Sequence, residues 1–183
     1  VFIEGAVPGD VVDVQLKKNK TDWAEGFVVA YRFYSEDRVQ PFCAHFGICG
    51  GCQWQMLPYA KQLVYKQQQV ADNLTRIGRV NLPAINPIIG ASQTELYRNK
   101  MEYTFATKKY IPSEEFRALK AAGADFSNQL GAAGFHVRGF FDKVVEIDTC
   151  HLQEEPTNFI RKMVAKYALD HDLPYYDVKQ HTG

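Results

Sequence analysis

No stretch of this 183-residue sequence strings together the ~18 apolar residues that a membrane helix needs, and no secretory leader pattern opens it. Net charge is missing too, since 21 basic and 21 acidic residues cancel; taken whole, that argues against a polyanionic partner. There is no internal repeat and no low-complexity tract. A glycine-rich strand-to-helix turn of the phosphate-cradling kind is also lacking, because GAAG (Gly131 to Gly134) has neither the pattern nor the context. Cysteine is scarce, with four residues, too few in too long a chain for a small disulfide-stapled scaffold. What is left is an ordinary packed domain or two small ones, at 46% apolar and 23% charged residues. The chain has no initiator Met, opens on Val1 inside what reads as a strand and stops at KQHTG; it is expected to be a piece of a longer protein.

Charge, absent in total, is unevenly placed. Residues 1–54 hold 5 basic and 7 acidic side chains, residues 55–110 hold 8 and 3, and residues 111–183 hold 8 and 11. A locally basic middle suits a phosphate-facing surface, or equally an ordinary solvated one. The first forty residues read as β: VVDVQL alternates, GFVVAYRFY is rich in β-branched and aromatic side chains, and Pro8-Gly9 and KKNKTD supply turns. A small barrel truncated at its start is the expectation. Pro58 and Gly78 bracket a helix whose stripe is Tyr59, Leu63, Val70, Leu74 and Ile77. Leu96 to Tyr110 and Gly134 to Asp148 read as two long strands of a hairpin. Between them lies an insertion with one short helix, around Ile111 to Gly131. A last helix from Pro156 to Asp170 carries Phe159, Ile160, Met163, Val164 and Tyr167 on one side.

Three of the four cysteines sit in CAHFGICGGC, spaced C-x5-C-x2-C, and the fourth is Cys150. Scattered structural thiols do not normally fall this close together. Four thiolates form a complete ligand set for zinc or for an iron–sulfur cluster. Zinc sites usually come as two short Cys/His pairs, whereas three ligands from one loop and one remote thiolate is a common way to hold four irons. Gly50-Gly51 lets bare N–H groups approach sulfur. Phe42, Phe46 and Trp54 are aromatics that can shield such a loop or simply fill a core. His45 and His151 flank ligands and suit a supporting or surface role better than ligation.

PFCAHFGICGGCQWQMLPYAKQLVYKQQQVADNLTRIG, with YRNKMEYTFA, GFHVRG and DTCHLQ, resembles the bacterial 23S rRNA 5-methyluridine methyltransferases of the iron–sulfur-containing type. VFIEGAVPGDVVDVQL is similar to their N-terminal TRAM domain, an OB-like RNA-binding barrel. The resemblance covers nearly the whole chain apart from the insertion. It implies an α+β protein in which a partial TRAM barrel (1–38) leads into a cysteine-rich loop (39–56). A helical segment (57–86), docked on a catalytic domain, and a central α+β RNA-binding domain with an antiparallel sheet (87–183) follow. It also implies that Cys43, Cys49, Cys52 and Cys150 hold a [4Fe-4S] cluster. The family's catalytic cysteine, its base and its S-adenosylmethionine site lie in a Rossmann-like domain absent from this chain, so the chain by itself is expected to be inactive. The implied parent is a cytoplasmic, monomeric, S-adenosylmethionine-dependent enzyme acting on 23S rRNA, with no membrane partner.

Unpaired RNA is held by stacked aromatics and by Lys and Arg on phosphates. Arg98, Lys100, Arg138 and Lys143 near the strand pair are the favoured contacts, with Lys17 and Lys18 on the N-terminal hairpin. Tyr103 and Phe105 are expected to face opposite Arg98 and Lys100, toward a core. Two rivals are a zinc-stapled, non-enzymatic RNA-binding module and part of a radical methylthiotransferase. The x5 spacing and the leading barrel argue against the second. A cluster with four protein ligands leaves no open iron for substrate, which favours a structural role over a redox-sensing one.

Overall fold

Two β-branched, aromatic strands separated by a polar turn form the first element pair. β2 (Val11–Asn19) runs antiparallel to β3 (Ala24–Phe33), and β1 (Phe2–Glu4) adds to β3 in parallel, giving the order β1-β3-β2. This is a computed structural model describing residues 1–125 and 131–183. The chain divides into two compact units, Val1–Phe42 with Trp54–Ala91, and Cys43–Gln53 with Ser92–Gly183. The cysteine loop thus leaves the first unit to join the second.

In the first unit the expected barrel is not closed. Three strands make an open sheet. Irregularities at Val11/Val12, Asp13/Val14 and Leu16/Lys18 interrupt the pairing, and bulges bend the strand and break its strict alternation. Leu16 is accordingly exposed despite its place on the expected apolar face. Gly26 is needed where β3 crosses β2, since a Cβ there would lie 2.5 Å from Val14 Cγ1 and 2.8 Å from the Gln15 carbonyl oxygen. A polar clasp closes the turn before β2. Asp10, its side chain fully buried, accepts the Val7 and Ser35 N–H groups and pairs with Arg38 at 2.7 Å.

α1 (Tyr59–Asp72) starts after Pro58 and passes into a π-helical turn, Asn73–Ile77, ending at Gly78. Its polar side chains tie it down: Lys61 and Tyr65 reach Asp37, and Gln62 donates to the Trp54 and Leu57 carbonyls. The segment 86–91 folds back along the helix, with the Ala91 N–H donating to Tyr59 Oη and the Ile88 N–H to Gln67 Oε1. Tyr59 and Leu63 are partly covered, while Val70, Leu74 and Ile77 at the far end of the stripe are exposed.

The second unit is built on a small antiparallel sheet, β4 (Thr104–Ala106), β5 (Ala132–His136) and β6 (Val144–Val145), in the order β4-β5-β6. The hairpin partners were legible, but both strands are much shorter than the sequence pattern suggests. Residues 96–103 run outside the sheet, bonded instead to the loop after Cys150, with Leu96 N donating to His151 O and Arg98 N to Leu152 O. β5 and β6 are separated by a turn over 138–143. Ala106, Ala132 and Val144 form the buried centre. Gly134 is required here, because a Cβ would collide with the Val145 carbonyl oxygen. Tyr103 and Phe105 do pack inward, against Phe135 and Tyr175, while Arg98 and Lys100 stay exposed. α2 (Ser113–Ala121) supplies the short helix of the insertion; residues 126–130 of that insertion lie outside the described residues.

α3 (Thr157–Asp170) is turned against its own pattern. The stripe of Phe159, Ile160, Met163, Val164 and Tyr167 faces outward, 43–64% exposed, while Asn158, Arg161 and Ala168 are buried. Among the described residues no helix is long and apolar enough to cross a membrane.

Candidate metal centre and nucleic-acid interface

The cysteine loop docks on the second unit's sheet as an extra strand-like edge. Cys49 bridges Val137, the Gly50 N–H donates to His136 O at 3.0 Å, and the Arg138 N–H donates to Ile48 O at 3.2 Å. Gly50 permits that approach, since a Cβ would lie 2.9 Å from the His136 oxygen. The second glycine works on sulfur, as the Gly51 N–H points at Cys49 Sγ from 3.5 Å. His45 closes the loop onto the segment before the remote cysteine, its Nε2 accepting the Asp148 N–H at 2.9 Å. That nitrogen is therefore engaged, consistent with a supporting histidine.

Cys150 is held from the other side. Asn158 grips both ends of its backbone: Oδ1 accepts the Cys150 N–H at 2.8 Å and Nδ2 donates to the Cys150 carbonyl at 3.2 Å. One turn on, Arg161 Nη2 donates to the Asp148 carbonyl at 2.8 Å, and Lys162 pairs with the Asp148 carboxylate at 2.7 Å. These bonds hold the polar face of α3 inward: two of them satisfy the buried Cys150 backbone and a third the Asp148 carbonyl, and buried backbone groups left unpaired are costly.

The four cysteines are all thiols, and the other three lie near enough to Cys49 for their charge to act on it. Burial pushes its thiol up, the Gly51 N–H pulls it back, and Cys52, Cys43 and Cys150 push it up further. Bringing thiolates together is unfavourable without a cation, and a bound metal reverses that penalty. The donor set, four thiols with a backbone N–H aimed at one sulfur, fits a thiolate-bound metal group. Among the described residues, no three His, Cys, Asp or Glu side chains close to single-ion distance. A lone zinc with ~2.3 Å bonds to sulfur would have to draw the sulfurs closer together.

The predicted RNA contacts scatter. Lys17 and Lys18 are spent on Glu4 and Glu25 at 3.1 and 3.2 Å, and Lys100 lies 3.8 Å from Glu102. Arg98 Nε donates to the Lys100 carbonyl. Much of the basic middle is balanced by acids from elsewhere in its own unit, as Lys61 is by Asp37, Lys108 by Asp142 and Lys109 by Glu146. Arg138 and Lys143, however, meet on the turn between β5 and β6, closed by the Val137 N–H to the Lys143 carbonyl. The sequence reading missed their companions Phe140 and Phe141, both exposed, with Lys143 over the Phe140 ring at 4.9 Å. The run RGFFDK carried that signal, but inside an expected strand it read as core. Beside the turn a cavity of about 200 Å³ opens between Phe141, His136, Thr104 and Tyr176. Asn158 and Arg161 were also missed, since a polar residue on an amphipathic helix reads as solvent-facing.

No protein-family model matches the chain. Over its whole length it is 46% identical to an uncharacterized RNA methyltransferase of Bacteroides thetaiotaomicron and 40% identical to one of Porphyromonas gingivalis, spanning 39% of each. A third, from Chlorobaculum tepidum, is 35% identical, with 37% of its length covered. The chain is thus kin to part of a set of proteins named RNA methyltransferases, and it spans roughly two-fifths of their length.

Proposed function

We propose, from this kinship, that the chain is the RNA-recognition and [4Fe-4S]-binding portion of an S-adenosylmethionine-dependent methyltransferase acting on C5 of a uridine in 23S rRNA. The observation that carries the reading is that Cys43, Cys49, Cys52 and Cys150 share one compact unit, with the other three near enough to Cys49 to act on its thiol. These four hold the cluster, which supplies structural cross-linking of the loop to the Cys150 segment. All four thiols are then ligands, so the nucleophile that attacks the uridine, the base and the methyl donor's site belong to the rest of the parent protein. Taking the target base out of its stack exposes C5 and C6 to that chemistry.

The chain's own contribution is to present the turn 138–143. The cysteine loop is bonded to the strand end that launches this turn, through Gly50 to His136 and Arg138 to Ile48. Locking the loop with metal therefore stiffens the platform of Arg138, Phe140, Phe141 and Lys143, where guanidinium and ammonium groups meet phosphate and the rings stack on unpaired bases. The exposed ends of the α1 and α3 stripes are covered by the remaining part of the parent.

The test is elemental. Anaerobically purified chain is assayed for iron, sulfide and zinc, with an absorption spectrum. About four irons and four sulfides per chain with a broad shoulder near ~400 nm support the reading. One zinc and no sulfide replaces it with a zinc staple, and no metal removes it.

A further inference from the structure

Arg161 is a buried cation without an acid. It is 8% exposed, and among the described residues its Nε is a buried side-chain nitrogen with no hydrogen-bond partner. Nη2 donates to the Asp148 carbonyl, and the guanidinium also hydrogen-bonds the Tyr103 hydroxyl. Asp148, whose carbonyl it binds, has its carboxylate 82% exposed and committed to Lys162; Arg161 is a lesser contributor to the field that holds that carboxyl low. The guanidinium lies 5.7 Å from the Tyr103 ring, and Tyr103 sits in the fields of both Cys150 and Arg161. A buried guanidinium whose partners are a carbonyl and a phenol, both neutral, keeps an uncompensated charge unless an anion lies near it.

The group beside it that can become anionic is the thiol centre. Asn158, one helical turn earlier on the same buried face, clamps the Cys150 backbone. Neutral thiols offer no counter-charge. Four thiolates around a zinc ion or a [4Fe-4S] core carry about two surplus negative charges. We infer that Arg161 is the counter-cation of an anionic four-thiolate metal centre on Cys43, Cys49, Cys52 and Cys150, with Asn158 holding Cys150 in register for it. The inference rests on the four-thiolate reading above and adds the residue that balances its charge. It also explains the orientation of α3, whose first two turns serve the centre and leave the apolar stripe outside.

The experiment compares wild type, Arg161→Met and Arg161→Lys in the 183-residue chain, metal-free and metal-loaded. Met gives up the hydrogen bond to the Asp148 carbonyl in either state, so metal-free Arg161→Met unfolds at a modestly lower urea concentration than wild type. With metal the deficit grows: Arg161→Met loses its iron or zinc to a chelator at least tenfold faster, and Arg161→Lys recovers most of that loss. For an iron-loaded centre, the midpoint potential of Arg161→Met also moves negative, because a positive neighbour favours the reduced, more anionic state. A purely structural arginine would weaken both forms alike, so a loss of stability in Arg161→Met that is no larger with metal than without overturns the inference. Wild type that loads, with Arg161→Met retaining metal equally well, overturns it alone. Wild type that takes up neither iron nor zinc overturns the metal reading, and the inference with it.

Discussion

Replacing Asp10 with Asn removes one charge from the clasp of the first unit while leaving its shape nearly unchanged. Burial alone would raise the Asp10 pKa, but the Arg38 side chain and the Ser35 and Val7 N–H groups outweigh it, holding the carboxyl at about 2 instead of 3.8. At 1.36 kcal/mol per unit that difference is worth about 2 kcal/mol of folding stability. The sign follows from a lowered folded-state value: the stabilisation is complete above pH ~4, declines as pH falls toward ~2, and is gone below it. Both tryptophans, Trp23 and Trp54, lie in the first unit, so tryptophan fluorescence in urea reports its unfolding. With a slope of roughly 1–3 kcal/mol per molar, Asp10→Asn should lower the midpoint by about 1 M at pH 7, and the two curves should converge at pH 2. A gap of less than ~0.5 kcal/mol at pH 7, or one that persists undiminished at pH 2, refutes the electrostatic account of the clasp.

Further outcomes follow from the same geometry. Gly50→Ala forces a Cβ against the His136 carbonyl, whereas at Gly51 a Cβ meets Cys49 Sγ at an ordinary 3.5 Å; iron or zinc per chain should fall sharply in Gly50→Ala and stay near wild type in Gly51→Ala. Arg138→Glu should lower affinity for single-stranded rRNA fragments and flatten the logarithmic salt dependence by about 0.7 for each phosphate no longer neutralised. Lys17→Glu with Lys18→Glu, at positions already paired with glutamates, should change the slope less. Phe141→Ala should cost about 1–3 kcal/mol of RNA affinity if a base stacks there, read by fluorescence anisotropy. Met163→Lys, on the outward face of α3, should leave the urea midpoint of this chain within the ~0.5 kcal/mol typical of surface changes while destabilising the full-length parent.

Several features could be read locally. The helical run from Tyr59 through α1 and its π-helical turn to the stop at Gly78 follows from a proline, a glycine and a repeat of apolar positions, all of which act within a few residues. The pairing of the segment around Thr104 with that around Gly134 was legible for the same reason. The length of those strands was not, because residues 96–103 satisfy their backbone against the loop after Cys150, a partner some fifty positions away that no local pattern encodes. The barrel failed in a related manner: alternation in β2 implied one continuous face, and the register breaks against β3 divided it.

The sequence by itself determined which thiols are available and how three of them are spaced, and it determined which residues share each helical face, since that follows from 3.6 residues per turn. Only the tertiary structure decided which face of α3 turns inward. Periodicity carries no direction, and direction was settled by the hydrogen bonds that Asn158 and Arg161 make to the Cys150 and Asp148 backbone. Those bonds reach only 8 and 13 positions back along the chain. The cysteine loop roughly a hundred positions earlier is tied in by other groups, the Asp148 N–H to His45 Nε2, the Gly50 N–H to His136 O and the Arg138 N–H to Ile48 O, and no local pattern encodes those partners.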